Sequence, residues 1–263
     1  MNPITGPHAT NFDARAYLND FYRQPSDEGA MHFVLFFLPG LAVHVPSDGT
    51  GDMLDFGCGP TVHAAAAFRR NYKRIYMADY SQVNRDELTR WLRRDADAFD
   101  WTQILNWIRY IEANGAELSV VERETRSKIV SVLSCDVFRR PALFDYNVQL
   151  PKQFDLVTTI FCLEYATVNQ EQYTQAVSNV CDLVKPGGYI LMGGVLGECW
   201  YTTNHIRYRC HCLRREHVFN ALRSAGFSVS DQDSFALANK QFKYVESQDV
   251  FVLVARKSDG PVE

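Results

Sequence analysis

Two kinds of apolar pattern take turns along this chain. Short unbroken runs, at Arg74–Asp79, Ile129–Leu133, Phe154–Phe161 and Tyr189–Met192, have the continuity of strands buried on both faces. Between them, apolar residues recur at helical spacing. Leu88, Trp91 and Leu92 fall at i, i+3 and i+4, and Trp101, Ile104, Leu105, Ile108 and Ile111 repeat the pattern. Tyr173, Ala176, Val177, Val180 and Leu183 mark a helix that opens on the capping-box-like Asn169–Gln172 and stops at Lys185-Pro186-Gly187-Gly188. Met31–Leu38 is a further helix, ended by Pro39-Gly40, and Glu216–Ala225 is another, closed by Gly226. Residues up to about Tyr22 read as irregular, and the charged Glu112–Ser127 as an exposed excursion. Phe227–Val229 and Val250–Val254 have no helix between them and are expected to pair antiparallel. The alternation predicts one α/β domain over residues 1–263, with a doubly wound sheet and a closing antiparallel hairpin.

The most informative stretch is Asp52-Met53-Leu54-Asp55-Phe56-Gly57-Cys58-Gly59-Pro60-Thr61, followed by the alanine-rich Val62–Phe68. It reads as strand, tight turn and helix, the place where an adenosine-type cofactor meets free backbone N–H groups. The dinucleotide fingerprint G-x-G-x-x-G is incomplete, because Val62 stands where the third glycine belongs. D-x-G-x-G, followed by an acid at the end of a second strand, fits S-adenosylmethionine instead, and Asp79 supplies that acid.

Charge and composition narrow the partners. A net charge of −4 and the lack of a basic run with interleaved aromatics argue against nucleic acid. Seven scattered cysteines suggest reduced thiols in a reducing compartment, so a cytoplasmic location is expected. The N-terminus has no secretory pattern, and the longest apolar run, Phe33–Val45, is too short to span a bilayer. No membrane partner is expected, and the chain is expected to be a monomer.

Taken together, several motifs resemble the family of phenylethanolamine, nicotinamide and indolethylamine N-methyltransferases. They are Arg15-Ala16-Tyr17-Leu18 with Tyr22, Asp55–Thr61, Asp79-Tyr80-Ser81 with Asn84, Ala98-Phe99-Asp100-Trp101, Cys135-Asp136-Val137, Phe161-Cys162-Leu163-Glu164, Leu183–Gly188 and Trp200-Tyr201. The resemblance implies a Rossmann-like seven-stranded methyltransferase sheet with residues 1–45 as an N-terminal helical lid. It also implies S-adenosylmethionine as cofactor, S-adenosylhomocysteine as its product, and a small-molecule amine as substrate. Tyr17 and Tyr22 match the tyrosines that close over the cofactor, and Gly57, Gly59 and Thr61 the turn beneath its methionine part. Asp79, Tyr80 and Asn84 match the ribose side, and Asp136 and Val137 the adenine contacts. His63 stands where the family has a tyrosine, and Ile160 replaces a small residue near the cofactor.

On the substrate side the resemblance implies that Glu164 and Glu246 hold an ammonium and assist its proton loss, with Phe161 and Tyr201 beside the substrate. Gly194 stands where nicotinamide-type enzymes carry an acid. Gly197 stands where phenylethanolamine-type enzymes carry one, with Glu198 next to it as a substitute. An arylalkyl amine is therefore the expected substrate. The alternatives are a pyridine or indolethylamine nitrogen and, in a different class, a catalytically silent cofactor binder. His205, Cys210, His211 and Cys212 lack the spacing of a zinc site, so no metal is expected, and they read as strand or lid residues.

Overall fold

The computed structural model describes residues 4–5, 12–23, 29–144, 150–229, 242–247 and 249–260. The N-terminal part comprises β1 (Ile4–Thr5), α1 (Ala14–Phe21) and α2 (Gly29–His44). The first half of the main sheet follows as β2 (Asp52–Phe56), α3 (His63–Phe68), β3 (Arg74–Asp79), α4 (Gln82–Arg93), α5 (Thr102–Glu112), α6 (Leu118–Lys128), β4 (Ile129–Cys135) and β5 (Leu143–Phe144). The second half is β6 (Phe154–Ile160), α7 (Leu163–Ala166), α8 (Gln170–Cys181), β7 (Val184–Val195), β8 (Trp200–Thr203), β9 (Ile206–Arg209), α9 (Arg215–Ser224), β10 (Phe242–Ser247) and β11 (Val250–Arg256).

The main sheet has the order β10-β11-β7-β6-β2-β3-β4-β5, and β8 and β9 join β1 in a separate small sheet. Strands β4, β3, β2, β6 and β7 run parallel, whereas β11 lies antiparallel between β7 and β10. These are the seven expected strands, and the two-residue β5 adds an antiparallel edge beside β4. Every residue of β2 is buried, as the unbroken apolar run requires of a strand covered on both faces. One face packs Leu88, Trp91, Ile104 and the alanines of α3; the other packs Tyr173, Val177, Val218 and Phe219 from α8 and α9. The strand order reverses at β2, which has β3 on one side and β6 on the other. A crevice opens there at the carboxyl ends of the strands.

Four local expectations change. Helix α2 runs through Pro39 and Gly40 instead of ending there. Leu38, Leu41, Ala42 and Val45 are all buried, and the Val45 N–H reaches the Leu41 carbonyl, so packing outweighs the hydrogen bond that proline forfeits. The stretch before Tyr22 contains α1, begun by Asp13, whose carboxylate accepts from the N–H groups of Arg15 and Ala16. The charged Glu112–Ser127 region contains α6, which buries Val121 and Thr125. The closing hairpin pairs β11 with Phe242–Ser247, while Phe227 makes only an isolated bridge to Lys257. The polar residues of Phe242-Lys243-Tyr244-Val245-Glu246-Ser247 hide that edge strand from a search for apolar runs.

The charge in α6 has a specific partner. Arg69 is fully buried, and its guanidinium grips Glu112 through two bonds, at 2.5 and 2.7 Å, while its Nε donates to Glu124 at 3.1 Å. It also donates to the Ala66 carbonyl, so one side chain ties α3 to α5 and α6. Replacing Arg69 by Ala empties a buried position and removes the link from α3 to Glu112 and Glu124, and is expected to cost about 3 kcal/mol in urea unfolding. Glu124→Gln, at a side chain 38% exposed, is expected to cost less than about 1 kcal/mol.

Candidate active site

The turn after β2 is shaped by two glycines with positive φ, Gly57 at 67° and Gly59 at 60°. A side chain at position 57 would collide with the sulfur of Cys162, so both backbone angle and space demand glycine. The Gly57 and Cys58 N–H groups donate to the Ala78 carbonyl at 2.8 and 3.0 Å. Asp79 closes the arrangement from the end of β3. Its Oδ2 accepts from the Gly59 N–H at 2.8 Å, and its Oδ1 accepts from the Ser81 N–H and from the Asn84 amide at 2.8 and 2.9 Å. Burial nevertheless pushes the Asp79 carboxyl up. Asp55, buried one strand away, accepts from Thr158 at 2.7 Å and is pushed up to about 7 by the same desolvation.

The loop after β4 forms a second wall. Asp136 accepts from the Phe138 N–H at 2.9 Å and donates its own N–H to Ala142, while Asn179 from α8 donates to the Val137 carbonyl. A third wall comes from α1. The Tyr17 and Tyr22 hydroxyls share a hydrogen bond, and Tyr22 also bonds Thr61. Burial pushes the Tyr17 phenol up to about 12. Tyr22 stacks on His63 with centroids 5.5 Å apart. Neither ring nitrogen of His63 has a hydrogen-bond partner among the described residues, and burial pulls this imidazole down to about 4, so it is neutral near pH 7.

These walls enclose a cavity of about 410 Å³. Of the sequence-predicted residues, Tyr17, Gly57, Gly59, Asp79, Tyr80, Asn84, Asp136 and Val137 line it, as do Phe161, Glu198 and Tyr201. Tyr22, Thr61, His63 and Ile160 line a smaller space beside it, which shares Tyr17, Gly57, Gly59 and Phe161 with the main cavity. Phe161 itself has φ of 50°, a left-handed backbone that lies between the two spaces.

Glu164 does not line the cavity; it is buried just behind Tyr165 and Val195, which do. Its Oε1 accepts from the Val195 N–H at 3.1 Å, and its backbone carbonyl accepts from the His211 N–H. Burial, with the charge of Glu198 adding, pushes the Glu164 carboxyl up to about 8. A Cβ at Gly194 would lie 2.6 Å from Glu164 Oε1, so the missing side chain at 194 makes room for this carboxyl. Glu198 accepts from the Tyr165 hydroxyl at 3.3 Å. Glu246 sits in β10 opposite Phe251, which in turn pairs with Gly194; its side chain lies outside the described ones.

Sequence reasoning missed several aromatic lining residues: Phe12, Phe21, Phe138 and Tyr165. Three of them directly adjoin residues already singled out, Phe21 before Tyr22, Phe138 after Val137 and Tyr165 after Glu164. Tyr165 meets Tyr201 edge-on at 4.7 Å, and Tyr201 stacks on Tyr208 at 5.3 Å. Cys210, His211 and Cys212 lie beyond β9 and not on it as a strand. Among the described residues no group of three or more His, Cys, Asp and Glu side chains could hold a metal ion, and no helix is long and apolar enough to cross a membrane.

A model of the NNMT/PNMT/TEMT family matches residues 5–258. A nicotinamide N-methyltransferase of Caenorhabditis elegans is 35% identical over 256 residues, spanning 95% of this chain and 90% of that protein. A phenylethanolamine N-methyltransferase of Macaca mulatta is 29% identical, spanning 94% of this chain and 89% of that protein. The solved N-methyltransferase NodS from Bradyrhizobium japonicum WM9, in complex with S-adenosyl-L-homocysteine, shares the fold with a TM-score of 0.51 at 13% identity, over 94% of this chain and 96% of that one. The chain belongs to the NNMT/PNMT/TEMT family of S-adenosylmethionine-dependent N-methyltransferases.

Proposed function

We propose that this enzyme methylates the nitrogen of a small arylalkyl amine. The observation that carries the reading is a pair of acids beside a cavity walled by Phe161, Tyr165 and Tyr201, with Glu198 on its wall and Glu164 buried just behind it. An aromatic wall suits an aryl group. Two carboxyls close enough to feel each other suit an ammonium, whose arrival would favour their ionised forms.

The cofactor residues fit S-adenosylmethionine. Asn84 keeps a buried amide oxygen without a partner among the described residues, and Asp79 beside it is a buried carboxylate on the cavity wall, which together suit ribose hydroxyls. Asp136 and Val137 would hold the adenine. Tyr17, Tyr22, Thr61 and the two unpartnered nitrogens of His63 offer polar contacts for the methionine end, with Gly57 and Gly59 beneath it and Ile160 beside it. When bound, the cofactor supplies a methyl group on a cationic sulfur.

The protein's share of the chemistry is alignment and proton handling. Transfer needs a free lone pair on the nitrogen, in line with the methyl, in a site from which water is excluded. Glu198 holds the ammonium at the cavity wall. Glu164, whose carboxyl is balanced near neutrality, accepts the proton, directly or through water. Glu246 is the remaining proposed contact, on a register row with Phe251 and Gly194.

A second reading, methylation of a pyridine nitrogen, is favoured by the nematode relative named for nicotinamide. Such a nitrogen carries no proton at neutral pH and has no use for paired acids. Mass spectrometry of products from labelled cofactor and a panel of phenylethylamines, tryptamines, nicotinamide and quinolines separates the two. Methylated arylethylamine is the expected result, and methylated nicotinamide alone would overturn the substrate assignment.

Two variants test the roles. Asp79→Ala removes the acceptor for three donors as well as the ribose partner, and should weaken calorimetric cofactor binding by about 10–100-fold. Unchanged affinity would refute the cofactor assignment. For Glu164 the carboxylate is the competent form, so kcat/KM should climb as pH rises through about 8. Glu164→Gln should lower kcat/KM by about 100-fold and erase that step from the pH profile. A retained step with full activity would remove Glu164 from proton handling.

A further inference from the structure

We propose that Cys199 and Cys212 form a reversible disulfide that sets the position of the loop carrying Glu198, a redox control of the amine side of the cavity. Both thiols are exposed, and both donate to one acceptor, the Gly197 carbonyl, at 3.9 and 3.3 Å. They also share a hydrogen bond with each other. The backbone holds the two segments together on either side. The Cys210 N–H donates to the Cys199 carbonyl, and the Gly197 N–H donates to the Leu213 carbonyl. The third nearby thiol, Cys210, is buried and bound to the Glu198 carbonyl, so it is the poorer partner for oxidation. The hydrogen bond with Cys212 pushes the Cys199 thiol up and Arg209 only partly offsets this, while Arg209 would attract an anionic oxidant.

The oxidant is a low-molecular-weight disulfide. One protein thiolate attacks a sulfur of that disulfide and expels one small thiolate, leaving a mixed disulfide. The second protein thiolate then attacks the mixed disulfide at the protein sulfur and expels the other small thiolate. Two protein thiols lose two electrons and two protons, and the small disulfide becomes two thiols. A sulfur–sulfur bond near 2.05 Å removes both thiol bonds to Gly197 and draws Cys199 towards Cys212. Glu198, the residue before Cys199, then loses its long contact with the Tyr165 hydroxyl. Asp79 and Asp136 sit at the ends of other strands, so the cofactor end is not displaced.

The consequence for turnover rests on the proposed amine substrate; the cross-link does not. The test incubates the whole protein with oxidised glutathione, alkylates the remaining thiols and maps tryptic peptides without reduction. Cleavage after Arg207 and Arg209 separates Cys199 from Cys212. A Cys199–Cys212 cross-link that persists in C210S, vanishes in C199S and C212S and reverses with dithiothreitol is the expected result. Glutathione left attached as a mixed disulfide, or a cross-link through Cys210, would overturn the proposal. In the cross-linked enzyme the amine KM should rise about fivefold, equivalent to one ordinary hydrogen bond, with calorimetric cofactor affinity unchanged. A cross-linked enzyme with an unchanged KM, or the same rise in glutathione-treated C199S, would overturn the control. Absence of any amine turnover would instead count against the proposed function, because the peptide map needs no substrate.

Discussion

The Asp79 carboxylate is the constraint on which the glycine-turn end of the cavity depends. It accepts from the turn after β2, from the turn after its own strand and from α4, three donors on two oxygens. Those bonds hold Gly59 against the end of β3 and fix the width of the crevice between the first two strands. The crevice exists because the strand order reverses at β2, but its floor is shaped by this one acid. Its burial makes the arrangement electrostatically expensive, and the donors that surround it offset part of that cost.

At the other end, volume rather than hydrogen bonding decides. Gly194 leaves a space beside Phe251, and the Glu164 carboxyl fills it, anchored by the Val195 N–H. An acid at position 194 and this placement of Glu164 exclude one another, because a Cβ there would lie 2.6 Å from Oε1. One residue pair therefore determines from which strand end a carboxyl approaches the cavity. The end of α1 is packed as closely, with Tyr22 between His63 and Trp101 and its hydroxyl bonded to Thr61 and Tyr17.

Much of this was legible in the sequence, for identifiable reasons. Parallel strands buried on both faces leave unbroken apolar runs, so β3, β4, β6 and β7 stood out, and the turn residues Gly57, Gly59 and Asp79 followed from their spacing. Elements held by tertiary contacts were harder. Helix α6 reads as polar, yet one of its glutamates, Glu124, answers the buried Arg69 at the end of α3. Helix α2 contains Pro39-Gly40, which local propensity treats as a stop, and only its buried side chains carry it onward. Edge strand β10 has its apolar residues interrupted by Lys243 and cut off by Glu246 and Ser247, and was invisible to a search for continuous runs. In the cavity, motif residues were found while the aromatics beside them were not, since Phe21, Phe138 and Tyr165 have no distinguishing spacing. Glu164 was found by motif, but its position behind the wall depends on Gly194, a through-space relation that no linear pattern displays.

The buried acids share a consequence that links stability to function. Asp55 moves from 3.8 to about 7, and Glu164 from 4.5 to about 8, both chiefly through burial. A carboxyl whose folded value is raised keeps its proton longer in the folded chain than in the unfolded one. Between the two values the unfolded chain binds fewer protons, so the contribution of each group to stability falls as pH rises through its own window. Near neutrality the site therefore holds carboxyls that resist ionisation. A cation entering the cavity reverses that balance, because a positive charge favours the ionised forms that burial disfavours. The cofactor has a cationic sulfur and the proposed arylalkyl amine would enter as an ammonium, so both would offset part of the cost of burying these carboxyls. Neutral His63 fits the same pattern, since a protonated imidazole beside the cationic cofactor would repel it, and burial keeps that proton away. Desolvation of a few ionisable groups thus leaves carboxyls whose ionisation an entering cation would favour.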